Sequence, residues 1–325
     1  RSIWVTGVQT CALPIYAAVT LPPDLHNHLP LDTVFLLEHA HRNPPFLSPD
    51  FAKRVIYVPN IEWMAPRDEA VIAAGHVDTV LFKNSFSRTI FEALPLAQQV
   101  RAKILTGWTS PDVGLPAVGE TAPVDHVLHV RGTSAQKHTT TVIATWLRNI
   151  EFPRLDVIAS FNEHFSVPVP LSAAPNLAVH LRTLPESELR ILQKRARIHL
   201  CPSVAEGFGH VLNEARATGA VLITVDAPPM NELVEGDVTG ILIPARQENI
   251  RPFRRSQAFP TSIDDLENAV RRALALSHDE RASMGQRARA AYERDRQQFH
   301  GNIATLLATP TTRSEEHTSE IQSPI

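Results

Sequence analysis

From residue 125 onward, short runs rich in β-branched residues alternate with longer stretches of amphipathic period. The runs at 127–130, 155–159, 177–180, 198–201, 220–225 and 240–243 read as strands, and 138–150, 185–196, 208–218 and 230–235 between them read as helices. This alternation builds βαβ units and a parallel sheet, whose ligand binds beyond the C-terminal ends of the strands. Candidate chemistry is therefore expected in the loops that follow strands. Before residue 120 the rhythm is weaker, with strands at 54–58, 79–82 and 103–105 and helices near 66–75 and 85–101, and it predicts a second, incomplete Rossmann-like domain. Between the halves, Gly107, Pro111, Gly114, Pro116, Gly119 and Pro123 give the punctuation of a hinge. After Pro244 a polar stretch, 246–260, leads into two helices, near 262–276 and 279–308. Ser262 opens the first with Asp264 and Asp265 in its first turn, and the second is long enough to pack back across a domain interface.

Two terminal segments stand outside this pattern. Residues 5–15 (VTGVQTCALPI) and 313–323 (RSEEHTSEIQS) read as translations of opposite strands of one DNA oligonucleotide, Ile321 alone departing, and resemble translated sequencing-adapter DNA. Residues 1–16 and 309–325 are accordingly set aside as scars, leaving domains at 17–123 and 124–308. The same reading implies that the first domain is truncated and its true start missing.

Composition narrows the function classes. With 43% hydrophobic and 20% charged residues, a net charge of -3 and a pI near 6.6, the chain reads as a soluble globular protein with no electrostatic basis for binding nucleic acid. Cys11 lies in the adapter-like segment and only Cys201 remains, so neither a disulfide framework nor a cysteine metal cluster is expected, and a reducing, cytoplasmic setting is the simpler assumption. No apolar run reaches the roughly 18 residues of a membrane span. The fifteen His residues show no metal-ligand spacing, so no metal is assigned.

The strongest chemical signal is residues 201–220, CPSVAEGFGHVLNEARATGA, which follow a strand and open a helix. Gly207 and Gly209 let the backbone approach a ligand closely, and the exposed N–H groups with the helix dipole suit a diphosphate. Glu206 precedes the helix and Glu214 lies two turns on, which returns both carboxylates to broadly the same side, where both can line one cleft. Each could accept paired hydrogen bonds from vicinal hydroxyls, one from a sugar and one from a ribose. The plainer reading makes Glu206 a helix cap and Glu214 a solvated helix residue. A second block, HVRGTSAQK at 129–137, sets Arg131 and Lys137 six residues apart on a strand and its loop. Two cations there would neutralise a departing diphosphate without a metal, or they are surface cations at a helix start.

Weaker candidates complete the set. Asn231 and Glu232, in the loop after 220–225, could cap a helix or touch ligand. The backbone of 161–165 and the side chain of Arg182 follow strands, where ligand contacts are expected, although Arg182 reads more readily as a solvated rim residue. In the first half, Asn60, Glu62 and Trp63, with Lys83, Asn84 and Ser85, follow strands and so face the same cleft. Trp63 could stack on a sugar face or belong to the core.

Glu206-x7-Glu214 inside P-S-x-x-E-G-F-G-x-x-x-x-E-A resembles the EX7E signature of retaining GT-B glycosyltransferases, group 1, and the similarity extends over 127–244 and more loosely beyond. The block at 129–137 is similar to that family's strand and loop carrying an Arg and, five or six residues later, a Lys. The family's order is Gly-Arg and Lys-Gly, where this chain has Arg131-Gly132 and Lys137-His138. The resemblance implies an α/β GT-B fold, two Rossmann-like domains facing a cleft, with acceptor-side 17–123 and nucleotide-sugar-binding 124–308. It implies transfer of a hexosyl unit, with retention, from a UDP-sugar or GDP-sugar to an unknown glycan, lipid or small-molecule acceptor, without cofactor or metal. By position, Glu206 meets the donor sugar and Glu214 the ribose; the backbone of Gly207, Phe208 and Gly209 meets the phosphates; Lys137 and Arg131 stabilise the departing diphosphate; the backbone of 161–165 and Arg182 stand where the family docks the nucleobase. Two alternatives remain. A catalytically silent nucleotide-sugar or glycan-binding fragment would bind donor without turnover. A dinucleotide-dependent oxidoreductase would need G-x-G-x-x-G after an early strand, and the chain has none.

Overall fold

The computed structural model describes residues 3–6, 29–40, 50–116, 126–160 and 174–309. Its first sheet holds five parallel strands in sequential order: β1 (Ile3–Thr6), β2 (Thr33–Glu38), β3 (Val55–Pro59), β4 (Thr79–Phe82) and β5 (Ala102–Leu105). Alternate residues serve opposite faces, as the twofold period of a strand requires. Val34, Leu36, Val55, Tyr57, Val80 and Phe82 pack with α1 (Pro66–Ala73) and α2 (Ser85–Glu92) through Val71, Ile72 and Phe91. Phe35, Ile56, Val58 and Leu81, one step out of phase, face the other way and are covered by Leu306 near the far end of the chain.

The second sheet has the order β11–β10–β9–β6–β7–β8, with β6 (Val127–Gly132), β7 (Leu155–Ala159), β8 (Leu177–His180), β9 (Ile198–Cys201), β10 (Val221–Asp226) and β11 (Ile241–Pro244), all parallel. The strand order reverses between β6 and β9, which is where a doubly wound sheet opens its ligand crevice. On one face, α3 (Thr139–Arg148) and α6 (Ile263–Ala275) bury Val142, Ile143, Trp146, Leu266 and Val270. On the other, α4 (Glu186–Arg195) and α5 (His210–Thr218) pack against Leu128, Ile158 and Leu222. The long helix α7 (His278–Ala308) begins on the second domain and ends on the first, where Arg54 donates to the Leu306 carbonyl at 3.1 Å and Asn302 to that of Thr106 at 3.0 Å. This is the α/β GT-B architecture, two Rossmann-like domains facing a cleft.

Four features depart from the sequence reading. The predicted helix at 85–101 is α2 followed by a separate 3-10 turn, Pro95–Gln99. Pro95 has no N–H to donate and holds Leu94 extended (φ -81°, ψ 139°), so the helix cannot continue. Residues 230–235 form only a 3-10 turn, Met230–Leu233. The polar stretch 246–260 contains an antiparallel hairpin, β12 (Arg251–Phe253) and β13 (Ser256–Ala258). Finally, β2 lies where the reading placed no strand; Ile3–Thr6, in the segment set aside, pairs in parallel with its free edge.

Candidate active site

The C-terminal ends of both sheets converge on one cleft. A cavity of about 350 Å³ lies between them, bounded by Glu38, Asn60, Glu62, Trp63 and Lys83 from the first domain and by 130–137 and 206–211 from the second. Its second-domain wall straddles the switch point. The loop after β6 makes a 3-10 turn at Ala135–Lys137, and left-handed His138 (φ 57°) redirects the chain into α3. Val204 N–H donates to the Gln136 carbonyl at 2.8 Å, tying this loop to the one after β9. Beneath them His129, on β6, reaches the Leu200 carbonyl at 2.8 Å and the Thr139 hydroxyl at 2.9 Å; burial lowers its pKa to about 4 and keeps the ring neutral.

This framework brings Lys137 and Glu206 together. Lys137 Nζ donates to Glu206 Oε1, and the two side chains are only 10% and 11% exposed. Arg131, 4% exposed, lines the same cavity. Neither cation is a surface residue. Nor does Glu206 cap α5: the N-cap is Gly209, at φ +92° where an L side chain is strained, and no side chain caps that end. The α5 N-terminus therefore opens onto the cavity with Gly207, Phe208 and Gly209 around it.

Glu214 sits apart from this group. It accepts a hydrogen bond from Gln193 Nε2 at 2.8 Å, and burial raises its pKa against the opposing effects of Gln193 and Lys137, so it is not a solvated helix residue. It does not border the cavity. Arg182 is half exposed, pairs with Glu188 at 2.6 Å and does not border the cavity. Residues 161–165 lie outside the described residues.

The first-domain wall is a buried polar cluster assembled from three strand ends. Glu38 ends β2, Asn60 and Glu62 follow β3, and Lys83 follows β4. Asn60 Nδ2 donates to Glu38 Oε1 at 2.8 Å, and Lys83 Nζ donates to Asn60 Oδ1 at 2.6 Å. Burial raises the Glu62 pKa to about 7, against its own backbone amide and Lys83, while Glu206 and Glu38 add to the rise. Glu62 is 2% exposed and its Oε2 has no hydrogen-bond partner. Trp63 joins this wall, edge-on to Phe253 and with the Arg254 guanidinium 3.9 Å from its ring centre.

Further polar contacts cross the cleft. Asn84 Nδ2 donates to the Gly207 carbonyl at 2.6 Å, and the Glu232 carboxylate accepts from Ser85 N and Phe86 N, both at 2.8 Å. Glu232 is thus a cap, but for a helix of the other domain. A Cβ on Gly207 would lie 2.5 Å from Asn60 Oδ1 and 2.8 Å from Glu62 Oε1, so in this arrangement the glycine admits the first domain. Sequence reasoning missed His210, the first residue of α5. Its Nδ1 lies 2.8 Å from Ser110 Oγ, and burial, with Lys83 and Lys137 nearby, lowers its pKa to about 4. The available signal was its place directly after Gly-Phe-Gly. Among the described residues, no group of three or more His, Cys, Asp or Glu side chains could hold a metal ion, and no helix is long and apolar enough to cross a membrane.

Comparison with known proteins agrees with this fold. Residues 173–251 match the family Glycosyl transferases group 1. That segment carries Glu206, the Gly207–Gly209 turn and Glu214. No curated protein matches the chain significantly. Among solved structures, a UDP-forming trehalose-phosphate synthase from Burkholderia xenovorans superposes with a TM-score of 0.63 at 12% identity, over 87% of this chain and 75% of that one. HepE of Anabaena, in complex with UDP and glucose, gives 0.62 at 15% identity, over 86% and 78%. A sucrose-phosphate synthase from Thermosynechococcus elongatus gives 0.61 at 15%, over 86% and 74%. These likenesses establish the shared fold.

Proposed function

We propose that the protein is a glycosyltransferase that moves a hexosyl unit from a UDP-sugar or GDP-sugar to a hydroxylated acceptor, with retention of anomeric configuration and without a metal. The observation that carries this reading is the buried Lys137–Glu206 pair beside the α5 N-terminus at the sheet's switch point. A diphosphate entering there exchanges one partner for another. Its charge takes Lys137, with Arg131 and the amides of α5 alongside, and Glu206 turns to the sugar hydroxyls. In transfer, the bond from the anomeric carbon to the diphosphate oxygen breaks, that oxygen keeping the electron pair, and a bond to the acceptor oxygen forms as the hydroxyl proton passes to the departing diphosphate. Glu214 holds the ribose in this reading, and Arg182 lies on the base side. A cytoplasmic setting accompanies it.

Calorimetric titration with UDP, GDP and their sugars tests the proposal. One nucleotide series should bind at micromolar levels and weaken roughly tenfold to a hundredfold in Lys137→Ala, the equivalent of a charge-assisted hydrogen bond of about 1.5–3 kcal/mol. Glu214→Ala should weaken nucleotide and nucleotide-sugar alike. A folded sample that binds no nucleotide removes the proposal; donor binding without transfer or hydrolysis leaves the silent binding module.

A further inference from the structure

The cleft is electrically divided. Arg131, Lys137 and the α5 N-terminus stand on the second-domain wall, while Glu38 and Glu62 stand on the first with Lys83, which already donates to Asn60. Burial lowers the Lys83 pKa and raises those of both carboxyls, each opposed in part by the other charges of the cluster. One atom in this wall is unsatisfied: Glu62 Oε2, in a side chain that borders the cavity. A buried carboxylate oxygen without a donor is costly, and it becomes favourable only when a donor arrives. The other oxygen, Oε1, lies 2.8 Å from the Cβ position of Gly207, so this carboxylate abuts the loop that faces the donor.

We propose that the first-domain wall receives an uncharged, hydroxyl-rich acceptor, a sugar or polyol, whose reacting hydroxyl donates to Glu62 Oε2. Asn60 and Glu38 offer further polar contacts, and Trp63 supplies an aromatic border for the C–H face of a sugar ring. A phosphorylated acceptor would meet two carboxyl groups, a Lys83 already donating to Asn60 and an Arg254 already stacked on the Trp63 ring, so the wall selects against it. Glu62 acts here as a positioning residue, and the inference rests on the glycosyltransferase reading above.

The test uses the full chain saturated with whichever of UDP or GDP it binds, titrated with glucose, mannose and myo-inositol and with glucose 6-phosphate and mannose 6-phosphate, and read by saturation-transfer NMR. At least one neutral compound should bind, with its phosphate at least tenfold weaker. Glu62→Gln should weaken the neutral ligand at least tenfold, and Glu62→Asp less so, while nucleotide affinity, which reports folding, stays within twofold. A phosphosugar that binds as well as or better than its parent, no binding of any neutral compound, or unchanged binding in Glu62→Gln would overturn this inference alone. Loss of nucleotide binding in the wild-type protein would overturn the function it rests on as well.

Discussion

Burial lifts the Glu62 carboxyl from 4.5 to about 7, and this ties stability to pH. The groups that face it are Lys83 and Glu38 on its own wall and Glu206 across the cleft, with Lys137 paired behind Glu206. Because the folded-state pKa is raised, the folded protein holds the proton to higher pH than the unfolded chain. The stabilisation is full below 4.5 and is lost as pH rises through 7. At about 1.4 kcal/mol per unit, the rise is worth roughly 3 kcal/mol. Glu62→Gln, neutral at every pH, should match the wild type near pH 4.5 and exceed its stability by up to that amount at pH 8. Urea unfolding at both values checks this, and a difference that does not vary with pH would refute it. The same substitution should weaken the neutral sugar, which sets stability against function at one atom. Residues of this kind are hard to read from sequence. Lys137 and Glu206 could be placed because each follows a strand at a recognisable spacing, whereas the state of Glu62 depends on Lys83 and Glu206, far along the chain, and on the Gly207 backbone pressed against it.

Helix α7 holds two glycines whose replacement should have opposite effects. A Cβ on Gly285 would fall 1.9 Å from the Gly219 carbonyl oxygen, a backbone atom at the C-terminal end of α5 that cannot swing aside. Gly285→Ala should push α7 away from α5 and cost about 3 kcal/mol, at the upper end for overpacking. Gly301 has nothing within 4 Å of its Cβ position. Gly301→Ala should stabilise by roughly 0.5–1 kcal/mol, the ordinary gain from removing a helix glycine. Denaturant unfolding of both variants checks the pair, and equal shifts of the same sign would disprove the contact. Elements were readable in proportion to the clarity of their period. β4, β7, β8 and β9 lie where the β-branched runs predict them. β2, in the run TVFLLE, has no helix or strand period that separates the two readings, and its place depends on pairing with β3. The hairpin β12–β13 is held by tertiary contact as well: Trp63 of the first domain meets Phe253 edge-on.

At the scale of the whole molecule, the domains are joined on two sides of the cleft. Behind it, α7 straps the second domain to the first, with Tyr292 donating to the Ser110 carbonyl at 3.0 Å, Trp108 packed edge-on to Phe299, and Leu306 closing a core that belongs to the first sheet. At its mouth the contacts are more polar: Asn84 on the Gly207 carbonyl, Glu232 on the first amides of α2, the Arg255–Glu69 ion pair, and Trp63 against Phe253 and Arg254. The strap buries apolar surface and is the durable connection, while the mouth opens by giving up these mostly polar, partly exposed contacts. Glu232 is exposed, so removing it leaves no buried gap in the second domain. Glu232→Ala should therefore leave unfolding stability within about 1 kcal/mol while freeing the mouth to open. Hydrogen exchange is the direct readout, because the Ser85 and Phe86 amides have their partner in the other domain. Their exchange should accelerate about tenfold, corresponding to about 1.4 kcal/mol, while amides in β3 and β4 remain unchanged. If saturating nucleotide then slows those two amides again in the variant, the donor itself draws the cleft shut. If they exchange at the wild-type rate throughout, the Glu232 contact is not what holds the mouth, and Asn84, the contacts of the β12–β13 hairpin with Glu69 and Trp63, and the α7 strap must suffice.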